Sequence, residues 1–248
     1  MIDLNKVDGV ALIRLNRGKV NAMSLDFCRR LIETLKMLEA DQEVIAAVLI
    51  GNPRVFSAGV DLREVVAGDH DYIATYLPTL SECFKTVFQF AKPLVAAISG
   101  HAIAGGCVLA SACDLRLIHA EAKIGLPELR IGVPLPSAGI EIMRFTVAPE
   151  ALRAMVNVGQ TYLGQAAVEV GLADRLVDPS VLEAEAIDAA RGLTVVPPNV
   201  YRLSKQQQRA PAMRNIEANE AEFEAEVIAI WQSHENRKVV QAYVAERL

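Results

Sequence analysis

The chain reads as an α/β protein, a parallel or mixed sheet with covering helices, on three observations. Short apolar runs of strand character, Val10–Leu15, Ala46–Ile50 and Leu94–Ile98, alternate with segments of helical period. With 248 residues, 52% of them hydrophobic and 22% charged, the chain has the composition to bury about three quarters of its unfolded surface in one large core. Two of the apolar runs lead into glycine-bearing turns, Phe56-Ser57-Ala58-Gly59-Val60-Asp61 and Ala104-Gly105-Gly106-Cys107-Val108.

Val10–Leu15 is predicted as a strand. Ser24 supplies a hydroxyl cap for a helix that runs to about Ala40, with Leu31, Leu35 and Leu38 on one face. A buried strand at Ala46–Ile50, a helix over about Tyr72 to Phe90 and a strand at Leu94–Ile98 follow. Beyond the paired glycines a small-residue helix begins, then short strands at Asp114–His119 and Lys123–Gly125 and a turn at Pro127-Glu128. Ser137–Val147 and Pro149–Val158 are helical by spacing, and Gly164–Gly171 forms a short helix. Pro197-Pro198 breaks the pattern, after which the chain is almost wholly helical. This tail resembles an appended subdomain. Phe223, Val227, Ile230, Trp231, Val239, Val240, Tyr243 and Val244 give it an apolar surface broad enough to pack on a second copy of the chain.

A net charge of −5 leaves no basic field for nucleic acid or an anionic membrane, so an anionic substrate must be held by a few local cations. Cys28, Cys83, Cys107 and Cys113 show no CxxC spacing, which predicts reduced thiols rather than a disulfide or zinc framework. The start of the chain lacks a secretory pattern, and the longest apolar run is too short to span a bilayer, so a cytoplasmic location is expected. No ligand cluster or dinucleotide fingerprint calls for a metal or redox cofactor.

The two glycine turns carry the chemistry. Bare backbone at Gly105 and Gly106 lets a ligand approach closely, and the helix starting there adds the positive end of its dipole. One amide from each turn makes an oxyanion hole, worth about 3–4 kcal/mol per donor to a transition state.

Taken in order, Lys19-Val20-Asn21-Ala22, FSAGVDLRE at 56–64, KPLVAAISGHAIAGGCVLASACD at 92–114, GLPELRIGVP at 125–134 and YLGQAAVEVGLADRLV at 162–177 resemble the crotonase superfamily, the enoyl-CoA hydratases and isomerases. The resemblance implies a spiral of repeated ββα units over residues 1–196 and a C-terminal helical region, 197–248, that drives trimers or dimers of trimers. It implies an acyl-CoA thioester as substrate, with coenzyme A as part of that substrate and no further cofactor. By matching positions, the thioester carbonyl is held by the Val60 and Gly105 N–H groups. Ala58, Asp61 and Leu62 line the adenine and pantetheine path, Gly106 lies close to the substrate, and Arg63 and Lys19 face the coenzyme phosphates.

Hydratases of this superfamily carry two glutamates. Here the first position is Val108, and only the second remains, as Glu128 in the apolar stretch Ile124-Gly125-Leu126-Pro127-Glu128-Leu129. If that carboxyl faces an acyl pocket, desolvation raises its pKa toward the range of a general base. One acid suits a proton shuttle better than hydration. The stretch AGGCVLASACDLRL also resembles the mitochondrial type of Δ3,Δ2-enoyl-CoA isomerase more than the two-glutamate hydratases. Val108 then serves as a dry wall, while Glu141 is a possible second acid and His101 a possible substrate contact. The rival readings are a hydratase or other acyl-CoA lyase or hydrolase on the same scaffold, and a CoA-binding homologue without activity.

Overall fold

The computed structural model describes residues 1–247. An antiparallel hairpin, β1 (Ile2–Val7) and β2 (Val10–Leu15), leads to α1 (Leu25–Ala40), where the Ser24 hydroxyl accepts the Phe27 N–H. Three strand-strand-helix units follow. The first is β3 (Ala46–Ile50), β4 (Val55–Ser57) and α2 (Leu62–Ala67), continued by the long α3 (His70–Gln89). The second is β5 (Leu94–Ile98), β6 (His101–Ile103) and α4 (Gly105–Ser111). The third is β7 (Leu115–Ile118), β8 (Lys123–Gly125) and α5 (Glu128–Ile131). Then come α6 (Ser137–Thr146), α7 (Pro149–Val158), β9 (Thr161–Leu163), α8 (Gly164–Glu169), β10 (Arg175–Leu176), α9 (Leu182–Gly192), α10 (Pro198–Gln232) and α11 (His234–Arg247). No helix among the described residues is long and apolar enough to cross a membrane.

The first strand of each unit joins a six-stranded sheet, β1-β2-β3-β5-β7-β10, parallel from β2 onward. The second strands build a four-stranded sheet, β4-β6-β8-β9, in which only β9 runs antiparallel. Each unit thus adds one strand to each sheet, and the chain spirals. The unbroken apolar character of β3 and β5 has its reason here, because both faces of the larger sheet are covered. Leu49, Ala96 and Ile98 pack into the main core with Leu31 and Leu35 of α1 and Phe84 of α3. Val48, Val95 and Ala97 face Leu182, Ala186 and Ala190 of α9.

The glycine turns do not follow β3 and β5 directly, as the apolar runs suggest. Each is reached through a three-residue strand of the second sheet, β4 or β6. Strands that short carry no readable alternation.

The C-terminal helices are not an appended subdomain. Ile216, Val227, Trp231 and Val240 belong to the same core as the spiral, and α10 lies along α3 and α6 while α11 meets α2 and α5. Asp114, half-buried, anchors this arrangement. It accepts from Lys205 Nζ at 2.8 Å and Arg209 Nη2 at 2.7 Å, as well as from the Leu94 N–H at 2.8 Å. The Arg209 guanidinium also stacks over the Phe88 ring, 4.3 Å from its centroid. The apolar surface expected to meet another subunit is therefore divided. Val227, Trp231 and Val240 are buried within the chain, Tyr243 and Val244 pack against its core, and Phe223, Ile230 and Val239 remain exposed.

Candidate active site

β4, β6 and β8 are neighbours in the second sheet and parallel, so their C-terminal ends lie side by side, about 4.8 Å apart in the hydrogen-bonding direction. Each end carries one candidate group. The chain leaves β4 through Ala58-Gly59-Val60, β6 through Ala104-Gly105, and β8 through Leu126-Pro127-Glu128. The repeat itself brings together residues that lie far apart in sequence.

At the first end, Met23 forms a bridge to Val60: its N–H donates to the Gly59 carbonyl at 2.7 Å and its carbonyl accepts the Asp61 N–H at 3.1 Å. Because the extended backbone alternates direction, this pairing turns the Val60 N–H the other way. The Tyr76 hydroxyl donates to the same Met23 carbonyl at 2.6 Å, and buried Asn21 donates to the Val55 and Phe56 carbonyls, both at 3.2 Å. At the second end, the Ala104 carbonyl accepts the N–H groups of Cys107 and Val108, which leaves Gly105 in the first turn of α4, where an amide has no intrahelical acceptor. Among the described residues neither the Val60 nor the Gly105 N–H has an acceptor.

The two turns touch. Gly59 has φ +82°, and a Cβ added there would stand 2.7 Å from the Gly105 nitrogen. Gly106 has a different use from the one its sequence position suggests. It is buried away from the cavity lining, and a Cβ there would collide with the Ser57 carbonyl, so its bareness lets α4 pack on β4.

Glu128 opens α5 and is only 7% exposed. Both carboxyl oxygens are buried without a hydrogen-bond partner. Desolvation pushes its pKa up to about 8. It shares a cavity of about 40 Å³ with Val60 and Gly105, and the other walls include Leu80, Phe84, Leu135 and Trp231. Among the described residues Glu128 is the only ionisable side chain on that lining.

A larger cleft of about 780 Å³ adjoins this cavity, sharing Ala58, Val60, Leu62, Ala104 and Ile131 with it. Lys19, Asp61, Arg63, His101 and Tyr243 also line the cleft. The Asp61 carboxylate is engaged within the protein: it accepts from Arg17 Nη1 at 2.6 Å and from the Arg63 and Glu64 amides at 3.2 Å, capping α2. Replacing Asp61 by Ala is expected to destabilise the fold by about 1–2 kcal/mol, mainly through the lost cap. Thermal unfolding should register this as a drop of about 2–8 °C for a chain of this size, with Asp61→Asn recovering much of it.

Several candidates fall outside the cavity. Val108 is fully buried behind the lining, with its methyls near Gly139, so it is not the wall itself; the dry walls are Leu80, Phe84, Leu135 and Trp231. Glu141 is neither a second acid nor solvated. It is buried and bound to Arg144 Nε at 3.0 Å and to Asn219 and Asn215 of α10 at 3.0 and 3.3 Å. Burial holds the Cys107 thiol far above its ordinary pKa, which removes it as a nucleophile. Sequence reasoning did not single out Arg17, Asn21, Met23 or Tyr76 as supports of the first turn. Only Asn21 carried a signal, its tolerance of positive φ, here +48°.

The ββα spiral is that of the crotonase superfamily. The chain belongs to its enoyl-CoA hydratase/isomerase family, whose sequence profile matches residues 5–248. It is 29% identical to human mitochondrial enoyl-CoA delta isomerase 1 over 244 residues, 97% of this chain and 80% of that protein. The short-chain-enoyl-CoA hydratase of Clostridium acetobutylicum is 28% identical over 247 residues, 98% of this chain and 94% of that protein. The crystal structure of human mitochondrial delta3-delta2-enoyl-CoA isomerase matches with a TM-score of 0.94 and 25% identity, covering 99% of this chain and 97% of that one.

Proposed function

We propose that this member of the family isomerises 3-enoyl-CoA thioesters to 2-enoyl-CoA thioesters, with Glu128 as its one proton carrier. The observation that carries the reading is the solitary carboxyl on an otherwise apolar lining that includes Val60 and Gly105. Glu128 takes a proton from C2, and the C–H electrons pass into the thioester carbonyl, giving a dienolate. The Val60 and Gly105 amides hold the oxyanion. The protonated Glu128 returns its proton at C4, and the double bond settles between C2 and C3. No water enters the balance.

The neighbouring cleft suits the coenzyme portion, with Lys19 and Arg63 toward its phosphates and Ala58 and Leu62 along its length. Assembly into trimers, which the resemblance implies, is part of the same reading and is checked by sedimentation.

Hydration is the second reading, favoured by a hydratase relative of similar identity. The two separate when the purified protein is given a 3-enoyl-CoA and crotonyl-CoA side by side. Isomerisation of the first should outrun water addition to the second; faster hydration would sink the proposal. A base must be ionised in the free enzyme, so kcat/KM should rise with pH through about 8 and then level. A profile already flat from pH 6 would show Glu128 titrating as an ordinary solvated acid.

A further inference from the structure

The cavity takes one lining side chain from outside the spiral units, and that side chain does not line the larger cleft. Trp231 sits on the inward stripe of α10 with Val227 and is 2% exposed. Its indole N–H donates to the Pro134 carbonyl at 3.0 Å, which fixes the plane of the ring. Leu80 and Phe84 of α3 line the cavity from the core side, and Leu135 lines it from the loop that follows α5. The wall is held at both ends of its helix. Upstream, Lys205 and Arg209 bind Asp114; immediately downstream, Gln232 Nε2 donates to the His70 carbonyl at 2.8 Å and Asn236 donates to the Gly132 carbonyl. A ring so tethered does not swing aside for a longer chain at small cost.

The cavity is small, about 40 Å³ against about 780 Å³ for the cleft it adjoins, so an acyl tail has little room before it meets the indole. We infer that Trp231 sets the acyl length this enzyme accepts and favours short-chain thioesters over long-chain ones. The inference rests on the reading above, in which the thioester carbonyl lies on the Val60 and Gly105 amides and the acyl tail points away from the coenzyme cleft.

The test compares wild type, Trp231→Phe and Trp231→Ala, with Trp231→Leu in place of Trp231→Ala should the latter fail to fold. Affinities for saturated acyl-CoAs from C4 to C12 are measured by calorimetry, and kcat/KM for 3-enoyl-CoAs of the same lengths by absorbance. Wild type should favour C6 over C12 by about tenfold or more, a span that a few misfitting methylenes readily supply. Trp231→Ala should move the C6/C12 ratio by at least about tenfold toward C12, with Trp231→Phe between the two. An unchanged ratio in Trp231→Ala, or a wild type that binds C12 as tightly as C6, overturns the inference. The affinities need no turnover. A protein that binds by length yet isomerises nothing would therefore refute the proton shuttle and not the wall, and normal isomerisation with an unmoved length profile would refute only the wall.

Discussion

Replacing Glu128 by Gln is expected to lower kcat for 3-enoyl-CoA isomerisation by about a thousandfold, within the range that a positioned acid-base group contributes, with little change in KM. Gln matches Glu in shape but cannot take up the C2 proton, and among the described residues no other side chain on the cavity lining is ionisable. Turnover within a few-fold of wild type would show that the proton travels by another path. The same variant reports on the environment of the acid. Burial raises the Glu128 pKa from 4.5 to about 8, so between these values the native state holds a proton that the unfolded chain has released. That contribution to stability is complete below about pH 4.5, shrinks as pH rises through the window, and is gone above about 8. Glu128→Gln has no such dependence. Its thermal midpoint should therefore gain on wild type from pH 5 to about pH 8 and then level off, and a constant gap from pH 5 to pH 9 would mean the carboxyl is not desolvated.

Substituting Ala for Gly59 is expected to cost about a hundred- to a thousandfold in kcat, the measured consequence of losing one oxyanion donor. The new Cβ would stand 2.7 Å from the Gly105 nitrogen and 2.9 Å from the Ile103 carbonyl, so the two turns must separate, and the Val60 and Gly105 amides with them. Strain from the positive φ is a second effect, and Gly171 isolates it. Gly171 has the same φ of +82°, yet its nearest neighbour to an added Cβ is the Thr146 carbonyl at 3.5 Å. Gly171→Ala should lose about 1–2 kcal/mol of stability and keep its activity. Gly59→Ala should lose both. If the two variants behave alike in the isomerase assay, the closeness of the turns has no catalytic meaning.

The sequence disclosed the long elements and the chemistry-bearing turns for different reasons. Ala46–Ile50 and Leu94–Ile98 stood out because strands covered on both faces are apolar at every position, and α1 because Ser24 and a leucine stripe mark it. The turns stood out because glycine is required where backbones meet. What escaped notice is too short or too distant to leave a pattern. β4 and β6, three residues each, show no alternation, and their omission hid the second sheet whose strand ends align the site. Asp114 meets Lys205 and Arg209 across some ninety residues, and no spacing rule links them. The helical period of the tail declared one apolar face without naming what it covers. That is why a surface assigned to a second subunit proved to hold Trp231 and Val227 inside the chain's own core. Glu128 was legible as a candidate through the resemblance at Pro127-Glu128-Leu129 and Gly132-Val133-Pro134, since its local sequence alone reads as a surface turn, and its dryness depends on residues from α3 and α10 that only folding supplies.

That dependence sets an order of events during synthesis. Val60, Gly105 and Glu128 all precede Trp231 in the chain, so the wall that α10 brings, packed on α3 and α6, is the last part of the lining to be synthesised. A chain lacking α10 would hold Glu128 and both glycine turns and yet leave the cavity open on the side that Trp231 covers. Maturation of the centre is thus a drying event, completed when a distant helix settles into place.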